Sequence, residues 1–168
     1  MKLIFPTIEH KQAALDYRQE HFDNGVTAIE GDAGLDDADT YEDWLMRIND
    51  DLTRDDGRYV PATVYFAVID GEIVGTIQIR HKLNDFLLKQ GGHIGYGVRP
   101  SQRRRGHATK MLALAIEKAR KLGIDKALVT CDKVNIASAK TILNNGGVLE
   151  NEFAEEDGNI VQRYWISL

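Results

Sequence analysis

The stretch His93-Ile-Gly-Tyr-Gly-Val-Arg-Pro-Ser-Gln-Arg-Arg-Arg-Gly106 constrains this chain of 168 residues more than any other part of it. It opens as a short strand, breaks at Pro100, runs through three arginines to a glycine, and continues from His107-Ala108-Thr109-Lys110 into a long amphipathic helix. The first turn of a helix leaves backbone N–H groups unpaired at the positive end of its dipole, so a phosphate is held there without a dedicated side chain. Arg103, Arg104 and Arg105 add charge, and Gly106, with no Cβ, permits a positive φ or close approach of a ligand. The stretch is an anion-binding device. Two rival motifs fail on spacing: no Gly-x-x-x-x-Gly-Lys-Ser/Thr string occurs, and Pro100 stands where a dinucleotide fingerprint needs a third glycine after Gly97.

The rest of the chain supplies elements around it. Lys2 to Phe5 reads as a strand, and Glu9 to Phe22 as a helix ended by Asp23-Asn24-Gly25. Residues 25–39 are a Gly- and Asp-rich loop, and Thr40 caps a second helix with Trp44, Leu45 and Ile48 on one face. Val64 to Ile69 and Ile73 to Arg80 flank Asp70-Gly71 as a hairpin, and Leu83 to Leu88 reads as a short helix before the strand Ile94 to Val98. The helix after Gly106 reaches Leu122 with Gly123 at its C-cap, and Lys126 to Cys131 follows as a strand parallel to the one before the helix. Ile136 to Asn145 is a last helix, and Val148 to Phe153 with Ile160 to Ile166 a closing hairpin.

Val98-x-Pro100-x-x-Arg103-x-x-Gly106-x-Ala108 resembles motif A of the GNAT superfamily of acyl-CoA-dependent N-acyltransferases, and the order of elements resembles the GNAT order over essentially the whole chain. The resemblance implies an α/β GNAT fold: a central, mixed but mostly antiparallel twisted sheet of about seven strands, with flanking helices and a splayed parallel pair at the coenzyme A site. It also implies one domain spanning residues 1–168, consistent with a length that suits a single core. The implied activity is transfer of an acetyl group from acetyl-CoA to a primary amine by direct attack on the thioester, with no metal. The alternative is a non-catalytic acyl-CoA sensor on the same fold.

By the same resemblance, the pyrophosphate lies on the N–H groups of Arg104 to Lys110, so Val98, Arg103, Arg104, Arg105, Gly106, His107, Ala108 and Thr109 form the cofactor site, with Asn135 and Ser138 toward the pantetheine. Gly97 and Val98 would polarise the thioester carbonyl. Many family members carry a tyrosine seven residues after the asparagine to protonate the departing thiolate, and that position here is Ile142. Either CoA leaves as an unassisted thiolate, since thiol pKa values lie around 8.5, or another group serves, with Tyr96 the first candidate and Cys131 the second. Strand alternation sets Tyr96 with Ile94 and Val98 on one face, and His93 with Gly95 and Gly97 on the other. An amine is mostly protonated at neutral pH, so a base is needed, and His93 has a suitable unperturbed pKa. On the acceptor side His81, next to Arg80, is an alternative base, and Glu30 a third group able to bind the amine.

Charge is segregated: residues 1–60 hold 6 basic and 15 acidic residues, residues 91–126 hold 9 basic and 2 acidic. An anion at the basic segment and a cationic small-molecule acceptor near Glu30 to Asp43 follow from this. The overall charge of −5 and the confinement of positive charge to one turn and helix argue against nucleic acid as a partner. A single cysteine, no signal-like N-terminus and no apolar run long enough for a membrane span point to a cytoplasmic protein without a membrane partner. A homodimer is common in the family, although no feature of the sequence requires one.

Overall fold

The computed structural model describes residues 1–168, and its elements follow the order read from the sequence. β1 (Lys2–Ile4) passes through a 3-10 turn at Ile8–His10 into α1 (Lys11–Asp23). Beyond the Gly- and Asp-rich loop, Thr40 caps α2 (Tyr41–Asp50), its hydroxyl accepting the Asp43 N–H at 3.1 Å. β2 (Ala62–Ile69), β3 (Glu72–Arg80) and β4 (Ile94–Val98) precede the turn that feeds α3 (His107–Lys121). β5 (Lys126–Asp132), α4 (Ile136–Leu143), β6 (Val148–Ala154) and β7 (Ile160–Ser167) complete the chain. The short helix expected at Leu83 to Leu88 lies later, mostly as a π turn over Leu87–Gly91, started by Asn84, whose Oδ1 accepts the Leu87 N–H at 2.9 Å.

The strands form two antiparallel sheets, β1-β2-β3-β4 and β5-β7-β6. β4 and β5, the pair expected to splay, do not ladder with each other, so the single central sheet read from the sequence is divided in two at this point. The junction between the sheets is at one residue: His93 N–H donates to Leu128 O at 2.7 Å, and the His93 imidazole Nδ1 accepts the Leu128 N–H at 3.0 Å. A side chain thus takes the bond that a strand carbonyl would take in a ladder. Beyond it the two strands part.

Packing explains why β3 reads Ile-Val-Gly-Thr-Ile without alternation. One face of its sheet carries α3, through Met111, Leu112, Ala115, Ile116 and Ala119, against Ile77, Val74 and Ile79. The opposite face carries α1 and α2, with Tyr17, Trp44 and Ile48 packed around Phe66 and Val64. Each fully buried Leu, Ile, Met or Phe contributes about 1.5–3 kcal/mol. Trp44 stacks on Phe66 with ring centroids 5.6 Å apart, and its Nε1–H donates to Asp32 O at 2.9 Å. That bond ties α2 to the loop that crosses β4.

Candidate functional site

Backbone pairing decides which groups of β4 are free. Arg80 N–H donates to His93 O at 2.8 Å and Arg99 N–H to Val74 O at 2.9 Å, and between them the β3–β4 register is unbroken. Bonded pairs alternate along an antiparallel ladder. The N–H groups of Gly95 and Gly97 therefore point to β3, and those of Tyr96 and Val98 point away from it, into the gap before β5. On β5, Lys133 N–H to Ile160 O at 2.7 Å and Leu168 N–H to Asp125 O at 2.9 Å fix the same alternation, which turns the backbone of Thr130 toward β4. The gap opens into a cavity of about 1080 Å³.

At one end of the cavity the arginine turn meets α3. Arg104 and Gly106 both adopt left-handed backbone, with φ of 60° and 77°. Such alternation curls successive N–H groups into a concave anion nest. No side chain caps α3, and its first intrahelical bond is Lys110 N–H to Gly106 O, so the N–H groups of His107, Ala108 and Thr109 stay free. Arg103, Arg104, Gly106, His107, Ala108 and Thr109 line the cavity there. Arg105 does not; it turns to a separate dent beside Asp70 and Glu72. Arg103 Nε–H donates to Val98 O at 3.2 Å, which fastens the turn to the strand. The turn is also clamped from α1: Glu20 accepts Arg99 Nε–H at 2.5 Å and Ser101 N–H at 2.7 Å. Burial raises the Glu20 pKa, and those two donors outweigh it, so the carboxyl titrates below its ordinary range.

In the middle of the cavity stands Tyr96, whose hydroxyl lies 2.8 Å from Ser138 Oγ. Burial pushes Tyr96 up to about 12, only partly offset by the bond to Ser138. Burial likewise raises the Cys131 thiol, despite hydrogen bonding to Ser138. Asn135 caps α4, its Oδ1 accepting the Ser138 N–H at 3.0 Å, and so positions that serine.

A sequence model of the Acetyltransferase (GNAT) family matches residues 26–143, a span that contains the splayed strand, the arginine turn and α3. The chain belongs to the GNAT acetyltransferase family. No curated protein matches it in sequence. Among solved structures, a ribosomal-protein-alanine N-acetyltransferase from Brucella melitensis is 18% identical over 100% of both chains, with a TM-score of 0.70. YncA of Salmonella typhimurium, a putative acetyltransferase with its cofactor acetyl-CoA, is 15% identical over 99% of this chain and 93% of that one, with a TM-score of 0.70. A mutant form of SpeG, a spermidine N-acetyltransferase from Vibrio cholerae, is 11% identical over 99% of this chain and 95% of that one, with a TM-score of 0.67. At these identities the likeness is one of fold.

The residues of this GNAT chain fit acetyl-CoA on their own geometry: free N–H groups and arginines where a pyrophosphate would sit, then a slot edged by unpaired strand amides. Of the cofactor positions expected from the sequence, Val98, Arg103, Arg104, Gly106, His107, Ala108, Thr109, Asn135 and Ser138 share the cavity, and Arg105 lies outside it. Of the catalytic positions, Tyr96, Gly97 and Val98 line it and His93 does not. His93 is held at the sheet junction, and burial, with the Arg80 charge added, pushes its pKa down to about 4. Glu30 and Arg80 line the cavity. His81 instead places Nε2 2.8 Å from Thr63 Oγ1 on β2, and burial lowers its pKa.

Of the acidic residues between Glu30 and Asp43, only Glu30 reaches the cavity. Asp32 and Asp36 instead bind loop N–H groups, at 2.7 Å and 2.8 Å. Burial drives Asp32 up to about 7, although the Gly34 and Asp36 N–H groups oppose this. Gly97 marks where the loop crosses: a Cβ there would stand 2.6 Å from Glu30 O. The sequence gives no signal for Tyr17 or His21. Tyr17 sits with its hydroxyl 3.1 Å from Thr76 Oγ1, and His21 lines the cavity with Nδ1 3.0 Å from Tyr17 O. Their spacing on α1 is that of any buried helix face.

Proposed function

We propose that this GNAT protein is an N-acetyltransferase that moves the acetyl group of acetyl-CoA to a primary amine by direct attack on the thioester. The observation that carries the reading is the splay of β4 from β5, with two unpaired amides facing it and an uncapped helix start at its end. Bound acetyl-CoA supplies an activated acyl carbon and a thiol leaving group.

One of the slot-facing amides of Tyr96 and Val98, which stand about 6.6 Å apart along the strand edge, donates to the carbonyl oxygen, where negative charge builds as the amine adds. Gly97, whose N–H serves the β3 ladder, keeps that edge flat under the loop. Tyr96 at about 12 is a far weaker acid than an ordinary thiol near 8.5. It therefore keeps its proton and, through Ser138, hydrogen-bonds the charge that develops on sulfur. Glu30, the carboxylate of the acidic loop that reaches the cavity, draws in the ammonium and accepts its proton, directly or through water. The balance is one N–C bond formed, one C–S bond broken and two protons lost from nitrogen: the first passes from the ammonium to Glu30 before attack, and the second leaves to water or the departing thiolate as the amide forms. His93, neutral and with Nδ1 engaged, holds the fork of the strands open.

The decisive measurement is CoA release from acetyl-CoA with a mixed panel of amines, amino acids and peptide N-termini. Release that depends on an acceptor and yields the acetylated amine supports transfer. Tight acetyl-CoA binding with no acceptor-dependent release under any member of the panel would instead make the protein a sensor of acyl-CoA.

A further inference from the structure

The acceptor end of the cavity holds two opposite charges that the chain itself does not pair. Arg80, at the end of β3, is pinned by Nη1, which donates to Gly91 O at 3.1 Å and Gly92 O at 3.3 Å. Its Nε and Nη2 donate to nothing in the chain, and neither is sealed from solvent, unlike the Nε groups of Arg47 and Arg163. No carboxylate lies within 4.0 Å of it, whereas Arg99 has two and Arg163 one. Burial disfavours its charge, and the field of Glu30 is what opposes that.

The carboxylates around the cavity narrow the reading further. Asp132 and Glu155 both line it, but both accept from Asn159 Nδ2, at 2.8 Å and 2.9 Å. Glu30 has no hydrogen-bond or ion-pair partner for its carboxylate, and it stands on the loop crossing Gly97, beside the amides that face the thioester slot. Arg80 lies farther along the same sheet face, its Nη1 3.9 Å from where a Gly95 Cβ would be. The cavity therefore presents a carboxylate carried by the loop that crosses Gly97 and, within reach of its field, a prepositioned, partly desolvated guanidinium. A guanidinium of that kind suits a planar, two-oxygen anion.

We infer that the acceptor is a zwitterion: an amino acid in the broad sense, whose ammonium group is met by Glu30 and whose acid group docks on Arg80. This rests on the acetyltransferase reading and deepens it. A purely cationic polyamine would leave Arg80 unpaired and repelling it. An amino acid satisfies both charges at once and leaves its nitrogen at the thioester.

Two measurements on the full-length protein test this. In the first, CoA release is compared for α-amino acids and short ω-amino acids, each against its own carboxamide. The carboxylates should exceed their amides in kcat/KM by about tenfold or more. Arg80→Gln should bring that ratio close to one, and Arg80→Lys should leave it in between, with thermal melts confirming folded protein. Amides equal to or better than the acids, or a ratio that survives Arg80→Gln, overturns the inference while leaving acetyl transfer intact. The second measurement needs no turnover: calorimetric titration of N-acetylated amino acids and their amides into the CoA-loaded protein. Preferential binding of the acids, lost in Arg80→Gln, supports the inference even if no acceptor turns over. Equal or absent binding of the acids rejects it.

Discussion

The imidazole of His93 accepts the backbone N–H of Leu128 at 3.0 Å while the N–H of His93 donates to Leu128 O at 2.7 Å, and these two bonds are the hinge from which β4 and β5 diverge. The ring must be neutral at Nδ1 to accept. Burial and the nearby Arg80 charge set its pKa at about 4, against 6.5 for an ordinary histidine. The folded protein therefore binds fewer protons than the unfolded chain between those values. Stability is full above pH 6.5 and is lost as pH falls toward 4, by up to roughly 3 kcal/mol. Urea denaturation across that range measures it. His93→Ala should cost about 2–4 kcal/mol at neutral pH and flatten the acid-side loss; a variant that keeps the full slope assigns it to another group.

Tyr96 and Ser138 share one hydrogen bond of 2.8 Å, so they should act as a unit. Tyr96→Phe and Ser138→Ala should each lower kcat by about tenfold with little change in the KM for acetyl-CoA, and the double variant should be scarcely worse than either single one. Steady-state kinetics on the four proteins gives the coupling directly. Additive losses would separate the two roles.

At Gly106, a φ of 77° with open space around the missing Cβ makes the cost of substitution conformational, not steric. Gly106→Ala should destabilise the fold by only about 1–2 kcal/mol. It should raise the KM for acetyl-CoA by about tenfold, because the N–H groups of the nest tilt away from the phosphates. An acetylated pantetheine thioester without the phosphates should be unaffected. If both donors weaken equally, the turn does not hold the pyrophosphate.

Gly97 poses the opposite problem. A Cβ at this position meets Glu30 O at 2.6 Å, a backbone atom that has no rotamer to give. Gly97→Ala should cost about 1–3 kcal/mol and displace the loop carrying Glu30. The predicted kinetic signature is a loss in kcat/KM for the acceptor larger than any change in acetyl-CoA affinity. Intact acceptor kinetics in a folded variant would remove Glu30 from the site.

The sequence by itself determines the element order, the helix caps and the anion-binding turn. These are set by local chemistry: Thr40 before Tyr41, proline and glycine around the arginines, and apolar spacing along α3. It also points to the residues from Val98 to Thr109 that line the cavity, because they lie within one strand-turn-helix unit. It does not tell that Arg105 faces away, since three consecutive side chains on a turn cannot all point to one ligand and only the φ values choose among them. Nor does it tell why the usual tyrosine position is Ile142. That side chain is fully buried in the core shared with α3, closed off from the slot.

Strand register, a property of pairs of strands, turns the amides of Tyr96 and Val98 to the slot and that of Gly97 away. His93 looks like a base by its intrinsic pKa. Only the meeting of two sheets makes it a neutral acceptor, and only their separation beyond it opens the gap that Glu30 and Arg80 line.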